Sequence, residues 1–261
     1  MTPGISIHVV GDVHANAPAL RAALAASADA DAVVLLGDLL TYGTEVDPVL
    51  DLVLEAQARR AAVVVRGNHD RIYDELLAGV RSSYVDALPA WIRESIDSTL
   101  AGLDPVRWGA VRFVDEHSIA GVLFGHAGPW PRGDDTYLSA TREFVAARER
   151  LRERGIACGV FGHSHRPRLF AAGDTEPRVP PLFWAGPLDA ATPVVLNAGA
   201  VGQPRDRDRS AWSVRLGIEP TSLRATFERL TYDRDAHLDA LRRSGLSAPT
   251  LERLLAFHGD P

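Results

Sequence analysis

Five short apolar runs in this chain each stop at a glycine followed by polar side chains. ISIHVV leads into Gly11-Asp12-Val13-His14, and AVVLL into Gly37-Asp38. AAVVV passes through Arg66 into Gly67-Asn68-His69-Asp70. AGVLF leads into Gly125-His126, and IACGVF into Gly162-His163-Ser164-His165. Such runs read as buried strands, and helical patterns at Ala17 to Ala28 and Val46 to Arg60 separate the first three. Strand, helix and strand in alternation predict α/β layering with parallel strands. Open α/β sheets bind ligands beyond the carboxyl ends of their strands, so polar residues far apart in sequence can converge in one cleft.

The rhythm changes twice. Ile72 to Leu103 reads as a helical insert, placed to overhang the cleft because it follows Gly67-Asn68-His69-Asp70 directly. Strand character then resumes, and Ser139 to Arg154 is an amphipathic helix with Ala140, Phe144, Ala147 and Leu151 on one face. Beyond His165, PRLFAA, PLFWAG, TPVVLNAGAVG, SAWSVRLG and LRATFERLTYD are successive strand candidates. They predict a second, antiparallel or mixed sheet. Two short helices, Asp235 to Ser244 and Ala248 to Phe257, close the chain. With 261 residues, 46% of them hydrophobic, and no repeat or linker, a single domain over residues 1–261 is expected.

Charge and cysteine usage narrow the function. A net charge of -6 argues against nucleic-acid binding by bulk electrostatics. The one cysteine, Cys158, sits in an apolar run and reads as core rather than nucleophile. It can form no internal disulfide, which fits a reducing compartment. The sequence shows no basic leader with a long apolar stretch, and no apolar run nears the ~20 residues of a membrane span. The expectation is a cytoplasmic protein without membrane association.

The residue types at the strand tips suit metal chemistry. Five of the nine histidines lie there, beside carboxylates and without thiolates. Such a donor set favours Mn, Fe, Ni or Zn. Asp12-x-His14 and His163-x-His165 place pairs of ligands on alternate residues, and Asp38 has the chemistry to bridge two ions. A two-metal site suits in-line displacement at phosphorus.

The order D-x-H, GD, GNHD, GH, GH-x-H resembles the calcineurin-like metallophosphoesterases, from Gly11 to about Arg205. DVHANAPAL, GDLLTYG and LNAGAVGQPRD resemble a bacterial subgroup related to diadenosine tetraphosphatases and small phosphodiesterases. The resemblance implies a four-layer αββα sandwich of two mixed β-sheets flanked by helices. It implies a metal held by Asp12, His14 and His165, a second held by Asn68, His126 and His163, and Asp38 between them. It further implies that a metal-bound hydroxide attacks a phosphodiester or phosphomonoester of a small phosphorylated substrate, nucleotide-like compounds among the candidates. His69 would assist the leaving group, and Asp70 would orient His69 through a hydrogen bond. Ala198 and Ala200 depart from the subgroup's Pro and Ser, which puts that loop's substrate contacts in question.

Other residues have two readings. Asn16 is a substrate contact or a loop support, Arg205 a phosphate contact or a solvated charge, and Tyr42 a cleft wall or a structural residue. Asp70 also fits as a helix cap. Arg66 is a phosphate contact or, the commoner case, a salt-bridge partner, and Trp91, Trp130 and Trp184 stack a base or, more commonly, are buried or edge aromatics. His8, His117, His237 and His258 belong to no motif, and Arg205 to Arg209 reads as a solvated connection. Two rival functions share some of these features. A scaffold on the same fold would show an eroded ligand set. Other metallohydrolases would carry His-x-His early or extend it with Asp-His, and neither holds here.

Overall fold

In the computed structural model, residues 4–59, 61–206 and 209–259 are described. The expected solvated connection, Arg205 to Arg209, therefore lies partly outside the described residues.

Two mixed sheets form the centre. The larger contains β1 (Ile5–Val10), β2 (Ala32–Leu35), β3 (Ala62–Val65), β4 (Phe113–Val114), β9 (Phe183–Pro187), β11 (Ala211–Glu219) and β12 (Ser222–Leu230). Its order is β4-β3-β2-β1-β11-β12-β9, parallel from β4 to β1 and antiparallel beyond. The smaller contains β5 (His117–Ile119), β6 (Val122–Phe124), β7 (Cys158–Phe161), β8 (Pro167–Phe170) and β10 (Val194–Ala198). Its order is β5-β6-β7-β10-β8, with β6, β7 and β10 parallel. The candidate ligand segments follow parallel strands of both sheets.

Strand alternation builds the layers. Val34 of β2 packs inward with Val9 against Phe124, Val160 and Leu196 of the other sheet. Val33 and Leu35 point outward and meet α1 (Ala17–Ala26) and α2 (Val46–Arg59) through Leu20, Ala23, Val49 and Val53. On the opposite side, Leu123, Phe161 and Val195 receive Phe144, Ala147 and Leu151 of α7 (Thr141–Glu153). The order is helix, sheet, sheet, helix, as the four-layer sandwich requires. Cys158 is buried between the sheets, where burial pushes its thiol far up, so it is inert core. No helix among the described residues is long and apolar enough to cross a membrane.

Two expectations need correction. The strands after His165 do not form a sheet of their own. β8 and β10 complete the smaller sheet, whereas β9, β11 and β12 extend the larger. The reason is the open edge of β1, which β11 covers antiparallel over six residue pairs, from Ile5 opposite Ile218 to Val10 opposite Ser213. The helical segment also starts earlier and ends later than expected. It comprises α3 (Asn68–Leu77), α4 (Ser83–Ala87), α5 (Ala90–Gly102) and α6 (Pro105–Ala110). Asn68 is already the first helical residue, so the polar triplet after β3 is a helix N-terminus. The closing helices are α8 (Arg234–Arg242) and α9 (Ala248–Phe257).

Candidate metal centre

The strand tips converge. Asp12 and His14 follow β1, Asp38 follows β2, Asn68 follows β3, His126 follows β6, and His163 and His165 follow β7. None is more than 5% exposed. Backbone bonds clip the tips together. His14 N–H donates to Asp38 C=O at 2.9 Å, Gly162 N–H to His126 C=O at 2.8 Å, and Gly202 N–H to Asp12 C=O at 2.9 Å. Asp12, His14, Asp38, His163 and His165 all have left-handed backbones, with φ between 46° and 63°. Each such residue costs roughly 1–3 kcal/mol, which the surrounding hydrogen bonds must offset.

Two groups of ligand atoms result, and they share one carboxylate. Atoms of Asp12, His14, Asp38 and His165 lie within 4.8 Å of one another, as do those of Asp38, His126 and His163. Asp38 Oδ2 is 3.8 Å from His14 Nε2 and 3.4 Å from His126 Nε2. Asn68 Oδ1 is 3.0 Å from His126 Nε2 and so joins the second group.

The family model of the calcineurin-like phosphoesterases matches residues 5–167, more than half of the chain. The chain is a calcineurin-like phosphoesterase family member. A solved metallophosphoesterase from Sphaerobacter thermophilus is 22% identical and superposes with a TM-score of 0.75, covering 97% of this chain and 99% of that one. A hypothetical protein from Pyrococcus horikoshii is 14% identical with a TM-score of 0.71, covering 95% and 97% of the two chains. At these identities the likeness is one of fold. No curated protein matches the chain.

The donors of this phosphoesterase fold fit divalent cations. His14 Nδ1 lies 3.0 Å from Leu40 C=O, and His165 Nδ1 lies 2.6 Å from Gln203 C=O. A proton on each Nδ1 leaves the two Nε2 lone pairs facing one another at 3.1 Å. Burial pushes both imidazoles well below their usual range, so a proton is not the favoured bridge between them. A shared cation resolves that contact. His163 has the reverse arrangement: its Nε2 is 3.0 Å from Asp135 C=O, which leaves Nδ1 as the ligand atom.

The charges point the same way. Burial pushes the Asp12 carboxyl up to about 7. Burial also opposes the charge on Asp38, yet His126 and His69 hold that carboxyl well below its usual range. Burial opposes charging His126 too, but Asp38 raises it to about 10. Two buried carboxylates thus draw positive charge into the cleft, and a proton on His126 Nε2 stands where the second group would hold a cation.

Of the two readings of Asp70 the structure shows the helix cap and not the bond to His69, and His69 has other partners than expected. Asp70 makes no bond to His69. Its carboxylate accepts the N–H groups of Gly67 and Asp38, each at 2.8 Å, and of Leu39 at 2.9 Å. It therefore caps α3 and braces the turn that aims Asp38. The reason is the helical start at Asn68: the third helical residue reaches back to the N-cap, away from the ring of its neighbour. His69 is held by hydroxyls instead. Nδ1 is 3.1 Å from Thr41 Oγ1 and Nε2 is 3.2 Å from Tyr42 Oη. Thr41 Oγ1 is in turn 2.6 Å from Tyr73 Oη. Burial lowers the pKa of His69.

Asn16, a candidate substrate contact, is corrected to a structural role. It is fully buried, its Oδ1 accepts Ala19 N–H at 3.1 Å as the cap of α1, and its Nδ2 donates to Gly202 C=O at 3.2 Å. Both ends of the amide are used. Arg205 does reach the cleft. Its guanidinium lies 5.8 Å from the Tyr42 ring and 5.6 Å from that of Phe257, and donates to Gln203 Oε1. Arg66 pairs with Asp74, as expected.

Several cleft residues carry no sequence motif. Tyr137 stacks on His163 with ring centroids 3.9 Å apart. Trp91 of α5 stacks on Tyr42 at 5.4 Å, which brings the helical segment to the cleft wall. The only sequence signal for Thr41 and Tyr42 was their place in GDLLTYG.

Proposed function

We propose that this chain hydrolyses small phosphodiesters or phosphomonoesters at a dinuclear divalent-metal centre. The observation that carries this reading is the sharing of Asp38 by two ligand groups with His69 beside them, 5.4 Å from His14 between ring centroids. Asp12, His14 and His165 would hold one ion, Asn68, His126 and His163 the other, and Asp38 both. Mn, Fe, Ni or Zn suits these donors. Such ions supply Lewis acidity to the phosphoryl oxygens and to the attacking water.

The side chains of this chain do the rest. Thr41 holds His69 at Nδ1, and Nε2 exchanges its Tyr42 contact for the leaving oxygen, passes its proton to it and recovers one from water. Arg205 binds a phosphate oxygen, since its side chain has a neutral hydrogen-bond partner in Gln203 rather than a carboxylate among the described residues. Tyr137 and Trp91 wall the cleft and limit water access.

Hydrolysis of bis-p-nitrophenyl phosphate and p-nitrophenyl phosphate with added Mn tests this reading. His69→Ala should lower turnover by about 10²–10⁴-fold while retaining bound metal. A metal-loaded protein that leaves both esters intact would overturn it.

A further inference from the structure

Many arginines that the structure describes on the surface face acids: Arg71 meets Asp135, Arg107 meets Asp47, Arg154 meets Glu116 and Arg215 meets Glu228. One cavity is different. It measures about 500 Å³ and lies beside the metal centre. Arg166, Arg168, Arg205 and Arg229 line it together with Trp212, and Asp206 is the acid among its described lining residues.

The hydrogen bonds of three of these arginines go to neutral acceptors. Arg166 Nε donates to Arg205 C=O at 3.0 Å, Arg168 donates to Pro167 C=O at 2.8 Å, and Arg205 donates to Gln203 Oε1 at 2.8 Å. Asp206 Oδ2 is engaged by Trp212 Nε1 at 2.5 Å, and Arg229 lies over the Trp212 ring at 4.7 Å. Burial, and then the neighbouring Arg166, push Arg168 down against the opposing charge of Asp206. Arg166, Arg168 and Arg205, three guanidinium groups with neutral hydrogen-bond partners lining one cavity, form a local receptor for an anion in a chain of net charge -6.

Its position relates it to the metal centre. Arg166 follows the candidate ligand His165 directly, and Arg205 N–H donates to His165 C=O at 3.3 Å. Arg205 lines the cavity and also reaches the Tyr42 side of the cleft. The volume accommodates a phosphate and its ester arm, and guanidinium forks match phosphate oxygens in pairs.

We propose that this arginine pocket binds a phosphate group outside the metal centre. Its identification with a second phosphate of the substrate rests on the phosphoesterase reading above; binding of free phosphate species does not.

The test is calorimetric titration of tripolyphosphate into the purified full chain at low salt, with bound metal measured in parallel. Arg168→Gln and the more exposed Arg166→Gln are examined separately, so that one misfolded variant does not end the test. Each should weaken tripolyphosphate binding by about tenfold or more, while kcat/KM for bis-p-nitrophenyl phosphate changes by less than about twofold. Unchanged binding in both variants overturns the proposal, and so does a parallel loss of bis-p-nitrophenyl phosphate hydrolysis. A matching fall in kcat/KM for a dinucleoside polyphosphate identifies the ligand as a distal phosphate of the substrate. An unchanged value for that compound, with weakened tripolyphosphate binding, identifies free phosphate. If the wild-type chain hydrolyses no aryl phosphate yet shows arginine-dependent binding, the functional reading fails and the pocket stands.

Discussion

The Asp70 carboxylate braces the backbone of Asp38: Oδ2 accepts the Asp38 N–H at 2.8 Å, and Oδ1 accepts the Leu39 N–H at 2.9 Å. Asp38 has a left-handed backbone, with φ 51°, and its Oδ1 accepts His69 N–H at 2.9 Å. Asp70 therefore acts on the shared ligand, and on His69 only through the chain. Asp70→Ala should weaken Mn binding by roughly 10–100-fold, as loss of a group supporting a ligand does. It should also cost a few kcal/mol of stability, since each buried N–H left unpaired costs about 1–3 kcal/mol. Calorimetric Mn titration and urea unfolding measure both. Unchanged Mn affinity with a fall in turnover alone would return Asp70 to the role of orienting His69.

Thr41 makes the contact with the His69 ring that the sequence assigned to Asp70. Its hydroxyl lies between His69 Nδ1 and Tyr73 Oη, at 3.1 and 2.6 Å. Its φ of 75° is rare for a β-branched residue. Thr41→Val keeps the shape and removes the hydrogen bonds. Turnover should fall by roughly ten- to a hundredfold with little change in KM or metal content, because the acid is misaimed rather than removed. Thr41→Ser should recover most of the loss. Steady-state kinetics with an aryl phosphate ester decides this, and equal kcat in Thr41→Val and wild type would exclude the role.

These cases show what the sequence makes legible. An apolar run, a glycine and a polar residue can be read locally; that pattern marks the strand tips, and the family resemblance picks from them the seven residues the structure brings together. Sheet membership could not be read in this way. β11 begins with four buried residues and only then alternates buried with half-exposed ones, a pattern equally suited to either sheet, and the open edge of β1 decides it. The partners of His69 were hidden because they depend on left-handed turns at Thr41 and Tyr42, which no residue type there announces. Tyr137 was hidden because it lies in a loop without periodicity, between β6 and α7.

His8 offers a test away from the metal centre. It is fully buried in β1, and neither ring nitrogen has a hydrogen-bond partner among the described residues. Burial and then Arg215 lower its pKa to about 4, against the opposing charge of Asp29. Glu228 Oε2 faces it at 4.0 Å. Unfolded chains bind this proton below about 6.5, before the folded chain does. The stability associated with neutral His8 is therefore complete above pH 6.5 and lost as pH falls toward 4, by about 3 kcal/mol in total. His8→Leu should lack this component. Urea unfolding of both proteins from pH 8 to 4 should show a stability difference that is flat above 6.5 and then shifts toward the variant. A difference that stays flat throughout would mean that His8 titrates in the fold as it does in the unfolded chain.

Gly67 ties the helix start to the shared ligand. Its φ of -83° suits any residue, so conformation does not require glycine there. Space does: a Cβ at this position would lie 2.1 Å from Asp38 Oδ1 and 2.5 Å from Asp38 N. Gly67→Ala must displace the carboxylate that both ligand groups share. Mn binding and turnover should fall together by at least about 10²-fold, with the fold retained at some cost in stability. Gly79→Ala is the matching control. Gly79 has φ 78° and nothing within 4 Å of the added Cβ, so the substitution strains the backbone without touching the site. It should cost about 1–2 kcal/mol and leave Mn affinity and turnover unchanged. Mn titration, turnover and thermal melts of the two variants separate these effects. Normal Mn affinity in Gly67→Ala would show that Asp38 can shift without loss, and that the close approach of Gly67 does not set the geometry of the centre.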